Sequence, residues 1–375
     1  MKVLIVSHYF APHVGGIEVV AENQAKYISK KGHSVQVLTS SIDFKRPRKQ
    51  YIEGYTINRV RALNFLETKF GVPFPLFSPT LVFKSFNLVK QSDVVHVHDA
   101  FYMSSFVAAF WAKLFKKPLF ITQHVAMVPH PKPLVMKMQQ IVYRTTGTFV
   151  LSNSKKVIVF NERVKNFLIN SGVSKSKILS INNGVDFELF HPSTTKQKVV
   201  LRQKYNLPTE KTLALFVGRF VPKKGFRKLL HALSKDYVIV FVGGDRPSFI
   251  KHDEQALFLG TLSQQETAEI YQACDVFVLP SEGEGFPLSI QEAMASGLPV
   301  ITTDDLGYRA YNFNRELFYL ISPTVKEIKD HLAKITKDSR LRDAMGKYSY
   351  SYAKQYFNWD EAIEKISHTY QEALS

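Results

Sequence analysis

The sequence predicts an α/β protein of two doubly wound, Rossmann-like domains, and three observations carry that prediction. The chain has 375 residues, beyond the size at which one hydrophobic core usually stops growing. Short apolar runs alternate with longer helical patterns through both halves, as expected where parallel strands are joined by helical crossovers. The runs are continuous rather than alternating, which suits strands buried on both faces of a sheet.

In the first half the runs are VLIV (3–6), VQVL (35–38), DVVHVH (93–98), LFIT (119–122), VIVF (157–160) and ILSI (178–181). The segment NNGVDFELFHP (182–192) and the polar STTKQK after it interrupt the series, so a first domain is expected over 1–190. The second half resumes with LALFV (213–217), VIVFV (238–242), LFL (257–259), VFVL (276–279) and PVIT (299–302), giving a second domain over 191–355. The tail, 356–375, reads as an amphipathic helix with Trp359, Ala362, Ile363, Ile366 and Tyr370 on one face. Open parallel sheets bind ligands outside the carboxyl ends of their strands. Two such domains would face one another across a central cleft, with the informative motifs just after strands.

Composition narrows the function. An apolar share of 45% supports two cores. The single cysteine, Cys274, excludes an internal disulfide and a cysteine-built metal site, and fits a reducing compartment. The start MKVLIVSHYF lacks the long apolar run of a secretory signal. The segment FYMSSFVAAFWAKLF (101–115) is too short to span a bilayer and contains Lys113. A cytoplasmic protein without a membrane span is expected. The net charge of +17 is uneven: residues 1–190 hold 25 Lys+Arg against 10 Asp+Glu, and residues 191–375 hold 24 against 22. A first half at +15 calls for an anionic partner such as a lipid headgroup surface, a phosphorylated acceptor or nucleic acid. No RNA-binding signature accompanies the charge, so a nucleic-acid partner is not expected.

The most informative stretch is EGEGFPLSIQEAMASGLPVI (282–301). A strand ends before it, Pro287 suits the first helical position, and Gly297 suits a left-handed cap. Glu284 then lies in the loop and Glu292 one turn into the helix. Unpaired N–H groups of the first turn favour an anion such as a diphosphate. A carboxylate on each side can accept hydrogen bonds from sugar hydroxyls and from a ribose diol. VGRFVPKKG (217–225) also follows a strand and carries Arg219 and Lys224, two cations suited to a diphosphate whose charge grows as it leaves. A merely solvated basic loop would look the same. In the first domain, Gly15 and Gly16 of APHVGGIE (11–18) permit close backbone approach, although the GxGxxG fingerprint is absent. His96 and His98 share a strand face, but no accompanying ligand set supports a metal. His96 reads as structural, and His98 and His124 as reaching the cleft. Asn183, in NNGVD, lies on its hinge side.

In this order, GGIE, DVVHVH, ITQH, NNGVD, GRFVPKKG and EGFPLSIQEAMASGLPV resemble the retaining GT-B nucleotide-sugar glycosyltransferases of family 4 over nearly the whole chain. Glu284 and Glu292 match the family's E-x7-E motif. The resemblance implies that Glu292 binds the donor ribose and Glu284 the transferred sugar. It also implies that Gly285 and the amides at Phe286, Leu288 and Ser289 meet the diphosphate or sugar, and that Arg219 and Lys224 hold the phosphates. Gly16 would approach the diphosphate, His124 would sit by the reacting carbon with His98 beside it, and the tail helix would return to the first domain. VGGDRPS (242–248) departs from the family's Gly-x-Gly-Pro turn, and there is no DxD motif. No cofactor or metal is therefore expected.

The reaction implied is sugar transfer with retention from a nucleotide diphosphosugar to a hydroxyl, on a lipid- or polyprenyl-linked acceptor. TKFGVPFPLFSPTLVFKSFNLVK (68–90) interleaves Phe and Leu with Lys and suits an anionic membrane rim on the inner face of the cell membrane. An ordinary core helix over 81–90 explains the same residues. The alternatives are a UDP-sugar epimerase on the same fold and a nucleic-acid-binding protein.

Overall fold

All eleven continuous runs form β-strands, and the side chains of the central ones are almost wholly excluded from solvent, from Val3–Val6 through Val300 and Ile301, while those of 178–180 and 257–259 are only partly covered. The computed structural model describes residues 1–375 apart from 14, 44, 53, 71, 73, 128–131, 251–252, 284–285 and the side chain of Phe70. The chain divides into two units, Met1–Asn183 with Trp359–Ser375, and Gly184–Asn358.

The first unit contains β1 (Lys2–Val6), β2 (Ser34–Ser41), β3 (Lys49–Ile52), β4 (Tyr55–Leu63), β5 (Leu76–Phe77), β6 (Val94–His98), β7 (Leu119–Gln123), β8 (Lys156–Val159) and β9 (Ile178–Ser180). Their order is β3-β4-β2-β1-β6-β7-β8-β9, parallel except for β3 and β5, which pair antiparallel with β4. The strand order turns back between β1 and β6, so the carboxyl ends of these two strands frame the ligand position of this sheet.

The second unit contains β10 (Thr212–Val217), β11 (Tyr237–Val242), β12 (Ala256–Phe258), β13 (Val276–Leu279), β14 (Val300–Thr303) and β15 (Tyr319–Ile321), all parallel in the order β12-β11-β10-β13-β14-β15. Here the reversal lies between β10 and β13. Helix starts in this unit are written in the sequence: Thr194 with Gln197, and Ser263 with Glu266, form reciprocal capping boxes.

The units meet the chain at 183/184 and 358/359, against the expected 190/191 and 355/356. Residues 184–191 go with the second unit because Val185 N donates to Phe357 O (2.9 Å) and Phe190 is buried in that core. The tail helix Trp359–Leu374 belongs to the first unit. Trp359 stacks on Tyr27 of the helix Gly16–Lys30, and the Tyr370 hydroxyl hydrogen-bonds His96 Nδ1.

One buried ion pair ties the second unit together. Arg202, 5% exposed, donates to Asp275 Oδ2 at 2.6 Å and to the Ala273 carbonyl at 2.9 Å. Asp275 also pairs with Lys198 (2.9 Å) and accepts from Leu213 N (2.8 Å). Burial opposes its ionisation, but Lys198, Arg202 and the Leu213 amide outweigh it and hold the carboxyl below its ordinary value. Asp275→Ala leaves a guanidinium buried without a counter-charge and is expected to cost about 3 kcal/mol, read from the urea midpoint at pH 7. With a depressed folded pKa, the pair's contribution is present above the unfolded carboxyl value and is lost as pH falls through the folded one, so the variant's deficit shrinks in acid.

Candidate active site

In the second unit, the loops after β10 and β13 lie together at the sheet's reversal point. Glu282 N donates to Lys223 O (2.9 Å). Gly225 has φ +74°, and a Cβ there would stand 2.2 Å from the Pro280 carbonyl oxygen, so glycine is what lets the two loops close on each other. Lys224 is half-buried with its stem along Gly218, whose hypothetical Cβ would lie 3.6 Å from Lys224 Cδ. Arg219, on the same loop, is exposed. Glu282 is occupied by Lys228 at 2.7 Å on the surface, which separates this acid from the motif.

Glu284 and Gly285 lie outside the described residues. Phe286 turns its ring into a buried aromatic cluster with Tyr308, Tyr311 and Phe357. The helix runs Leu288–Ala295, with Pro287 as its N-cap rather than its first helical residue: Pro287 has ψ 140°, an extended value, and Ile290 N donates to its carbonyl. Leu288 and Ser289 thus form the first turn. Gly297, at φ +71°, ends the helix as expected, its N–H bonding to Met294 O while Leu298 N bonds to Ala293 O.

Glu292 is half-buried on this helix, and its position is fixed by Tyr271, a fully buried side chain of the helix Gln264–Ala273. The Tyr271 hydroxyl lies 3.1 Å from Glu292 Oε2 and 3.0 Å from Ser289 O. Burial pushes the Glu292 carboxyl up to about 7, against the opposing pull of the Tyr271 hydrogen bond. A carboxylate kept at the edge of ionisation and aimed along a helix's first turn is an acceptor waiting for hydroxyl donors. Tyr271 carries no sequence signal that would have singled it out.

In the first unit, polar groups gather at the ends of β1, β6 and β7. His98 Nδ1 and His124 Nε2 are 2.9 Å apart, and His96 Nε2 meets Thr122 Oγ1 at 2.7 Å. His98 is wholly buried, while His124 is half-buried. Burial, with His96 adding repulsion, pulls the His124 imidazole down to about 3, and His98 well below its ordinary value. Both rings are neutral at pH 7, so one donates to the other.

Asp99 follows His98 with φ +59°, is fully buried, and accepts the His124 backbone N–H at 2.7 Å. Burial raises its carboxyl to about 7 despite two backbone hydrogen bonds. His8 stacks on Tyr102 with ring centroids 3.5 Å apart. The atoms His8 Nδ1, His98 Nε2 and Asp99 Oδ2 have no hydrogen-bond partner. Asp99 directly follows the stretch DVVHVH (93–98), but its hold on the backbone at 124 is a contact no spacing reveals.

Gly15 is the extended N-cap of the helix Gly16–Lys30, and a Cβ on it would collide with Glu18 Oε2 at 2.3 Å. A Cβ on Gly16 would meet nothing within 4 Å, so the backbone there stands open. His13 pins the loop before these glycines, with Nδ1 2.9 Å from Glu18 Oε1. Burial pulls the His13 ring down, but Glu18 and Glu67 more than offset that and raise it. Asn183 is buried with its Oδ1 unpartnered. Among the described residues, no group of three or more His, Cys, Asp or Glu is disposed to hold a metal ion.

Residues 14–189 match the family model described as Glycosyltransferase Family 4, and residues 197–352 the one described as Glycosyl transferases group 1. The GDP-mannose-dependent alpha-mannosyltransferase of Corynebacterium glutamicum is 27% identical over 80% of this chain and 72% of its own length. Among solved structures, the sucrose-phosphate synthase of Thermosynechococcus elongatus is 20% identical and superposes with a TM-score of 0.77, covering 99% of this chain and 98% of its own. Anabaena HepE, solved in complex with UDP and glucose, is 18% identical with a TM-score of 0.79, covering 99% of this chain and 100% of its own.

Proposed function

We propose, from the premise that the chain belongs to the GT-B glycosyltransferases of family 4 and group 1, that it moves a sugar with retention from a UDP- or GDP-linked donor to a hydroxyl of a lipid- or polyprenyl-linked acceptor. One observation carries the reading: Glu292, held by Tyr271, lies one turn into the helix that follows the loop bonded to Lys223. The GDP-mannose dependence of the corynebacterial relative and the UDP complex of HepE support a nucleotide diphosphosugar as donor.

In this reading the Glu292 carboxylate accepts the two ribose hydroxyls, and Arg219 and Lys224 meet the diphosphate, where a metal would otherwise serve. Negative charge grows on the leaving phosphate as the glycosidic bond breaks. Fixed cations and the amides of Leu288 and Ser289 stabilise it there. The acceptor proton passes to that phosphate on the face from which it departs, so no protein nucleophile is needed. His124, neutral at pH 7, orients a sugar hydroxyl instead of carrying a proton.

The lipid character of the acceptor is supported by the surface of the first unit. Between Ala100 and Asn161 the chain has no Asp or Glu. The helix Pro133–Val142 exposes Leu134, Met138 and Ile141 beside Lys137. The helix Thr80–Gln91 buries Leu81, Leu88 and Val89 but exposes Val82 and Phe83. Apolar side chains set among lysines suit an anionic interface. No helix among the described residues is long and apolar enough to cross a membrane, so contact would be peripheral, on the inner face.

Titration with UDP, GDP and ADP tests the donor site: one nucleotide is expected to raise the melting temperature well above the others. The sugar of that nucleotide is then offered with a polyprenyl-linked acceptor in anionic vesicles. Transfer with an unchanged anomeric configuration is the expected result. A stereoisomer formed from donor alone would instead indicate an epimerase, and equal binding to neutral and anionic vesicles would remove the membrane role.

A further inference from the structure

Among the described residues, Arg59 is a buried cation with no carboxylate beside it. It is 6% exposed on β4, directly opposite Thr39 of β2, toward the carboxyl edge of the first unit's sheet. Its two hydrogen bonds go to neutral acceptors, Gln50 Oε1 (2.8 Å) and the Ala11 carbonyl (3.1 Å). Desolvating a guanidinium without a counter-ion is costly. The other buried guanidinium among the described residues, Arg202, has its Asp275. Arg59 instead has another cation for a neighbour: burial first, and then the charge of Arg46, lower its affinity for its proton.

The surroundings are of the same sign. Residues 45–61 include Lys45, Arg46, Arg48, Lys49, Arg59 and Arg61 against one acid, Glu53, which lies outside the described residues. Arg46 leans on Asp43 at 3.5 Å, with both side chains well exposed, a contact worth little in water. The Ala11 carbonyl belongs to the loop between β1 and the Gly16–Lys30 helix. Arg59 therefore stands at the edge where open parallel sheets bind ligands.

We propose that Arg59 and Arg46 form a binding site for a phosphoryl group carried by the acceptor. The inference rests on the reading above that the first unit takes the acceptor, and it adds that the acceptor is a phosphate ester. A phosphate oxygen supplies the counter-charge that Arg59 lacks, and the charge of Arg46 adds to the attraction. The basic surplus of the first unit is then in part a recognition device with a definite address.

The test uses the full chain with the donor site saturated by its cognate nucleotide, so that phosphate binding to the second unit is blocked. The probes are farnesyl phosphate, inorganic phosphate and farnesol. Wild type is expected to bind farnesyl phosphate, about tenfold more weakly in Arg59→Gln and about threefold more weakly in Arg46→Ala, with farnesol indifferent to both changes. If inorganic phosphate behaves like farnesyl phosphate, the site reads the phosphate itself; if only farnesyl phosphate is affected, it reads a lipid-linked one.

Arg46 is exposed and, among the described residues, bonds to Asp43 and not to the Ala11 loop, so Arg46→Ala answers even where Arg59→Gln fails to fold. It also separates recognition from mere bracing of the loop. Phosphate affinities unchanged in both variants, or no phosphate binding by wild type, would overturn the proposal. Nucleotide affinity in the same samples separates the two levels: its absence from wild type defeats the donor reading, whereas normal nucleotide binding with variant-independent phosphate binding defeats only this inference.

Discussion

Glu292→Gln is expected to lower kcat/KM by about 100-fold while making the free protein more stable at pH 8. The two effects have one cause. The Glu292 carboxyl is pushed up to about 7 by burial, so the folded protein carries an ionised group in surroundings that disfavour it. Below the unfolded value of about 4.5, both states are protonated and the carboxyl is neutral with respect to folding. From there to about 7 the penalty grows, and above 7 it is complete, at most roughly 3 kcal/mol. Glutamine keeps an oxygen for Tyr271 and removes the charge, so the melting temperature should rise at pH 8 and stay unchanged at pH 4.5.

Function runs the other way. An amide accepts the ribose diol less strongly than a carboxylate, and charged hydrogen bonds are worth about 1.5–3 kcal/mol. Nucleotide affinity in wild type should therefore increase as pH rises through about 7, and that dependence should vanish in the variant. Isothermal titration at pH 6 and 8, beside thermal melts, gives both readouts. A variant with wild-type kcat/KM, or an affinity slope that persists without the carboxyl, would remove Glu292 from the site. Stability given up at a working position is the usual mark of such a residue.

The parallel strands were readable because burial on both faces leaves no choice of residue: VIVFV and VFVL can hardly be anything else. What escaped were strands at the sheet margin. β4 was not anticipated because its interior positions include Asn58 and Arg59, which break the apolar run. β3, β5 and β15 are four residues or fewer and leave little periodicity to detect. The strand-end loops were found because glycine, proline and charge coincide there. Their supports were not: Tyr271 lies 21 residues from Glu292, and Asp99 lies 25 from His124. Contacts across such distances depend on how the sheet orders its strands, which local spacing does not encode. The histidines illustrate the limit. The strand face shared by His96 and His98 was legible, but the neutrality of the histidines follows from burial among one another, and that changes the chemistry available to His124 from proton transfer to orientation.

Lys224→Ala is expected to reduce kcat by about 100- to 1,000-fold, with a smaller change in donor affinity. A cation set against a diphosphate contributes in the ground state, but the charge it meets grows as the sugar–phosphate bond breaks, so more of its effect falls on the transition state. The argument depends on Lys224 being held in place. Its stem lies along Gly218, and the next residue, Gly225, fits against the Pro280 carbonyl where no side chain can. Gly225→Ala retains the lysine but must push the loop away from the end of β13, and should likewise lower kcat through displacement alone. Arg219→Ala removes a cation that is exposed and therefore better screened, and should cost less than Lys224→Ala. Single-turnover rates with saturating donor, measured beside nucleotide Kd values, separate the contributions. If Lys224→Ala raised Kd and left the single-turnover rate intact, the lysine would be a ground-state anchor, and charge stabilisation of the leaving phosphate would have to come from the helix amides at Leu288 and Ser289.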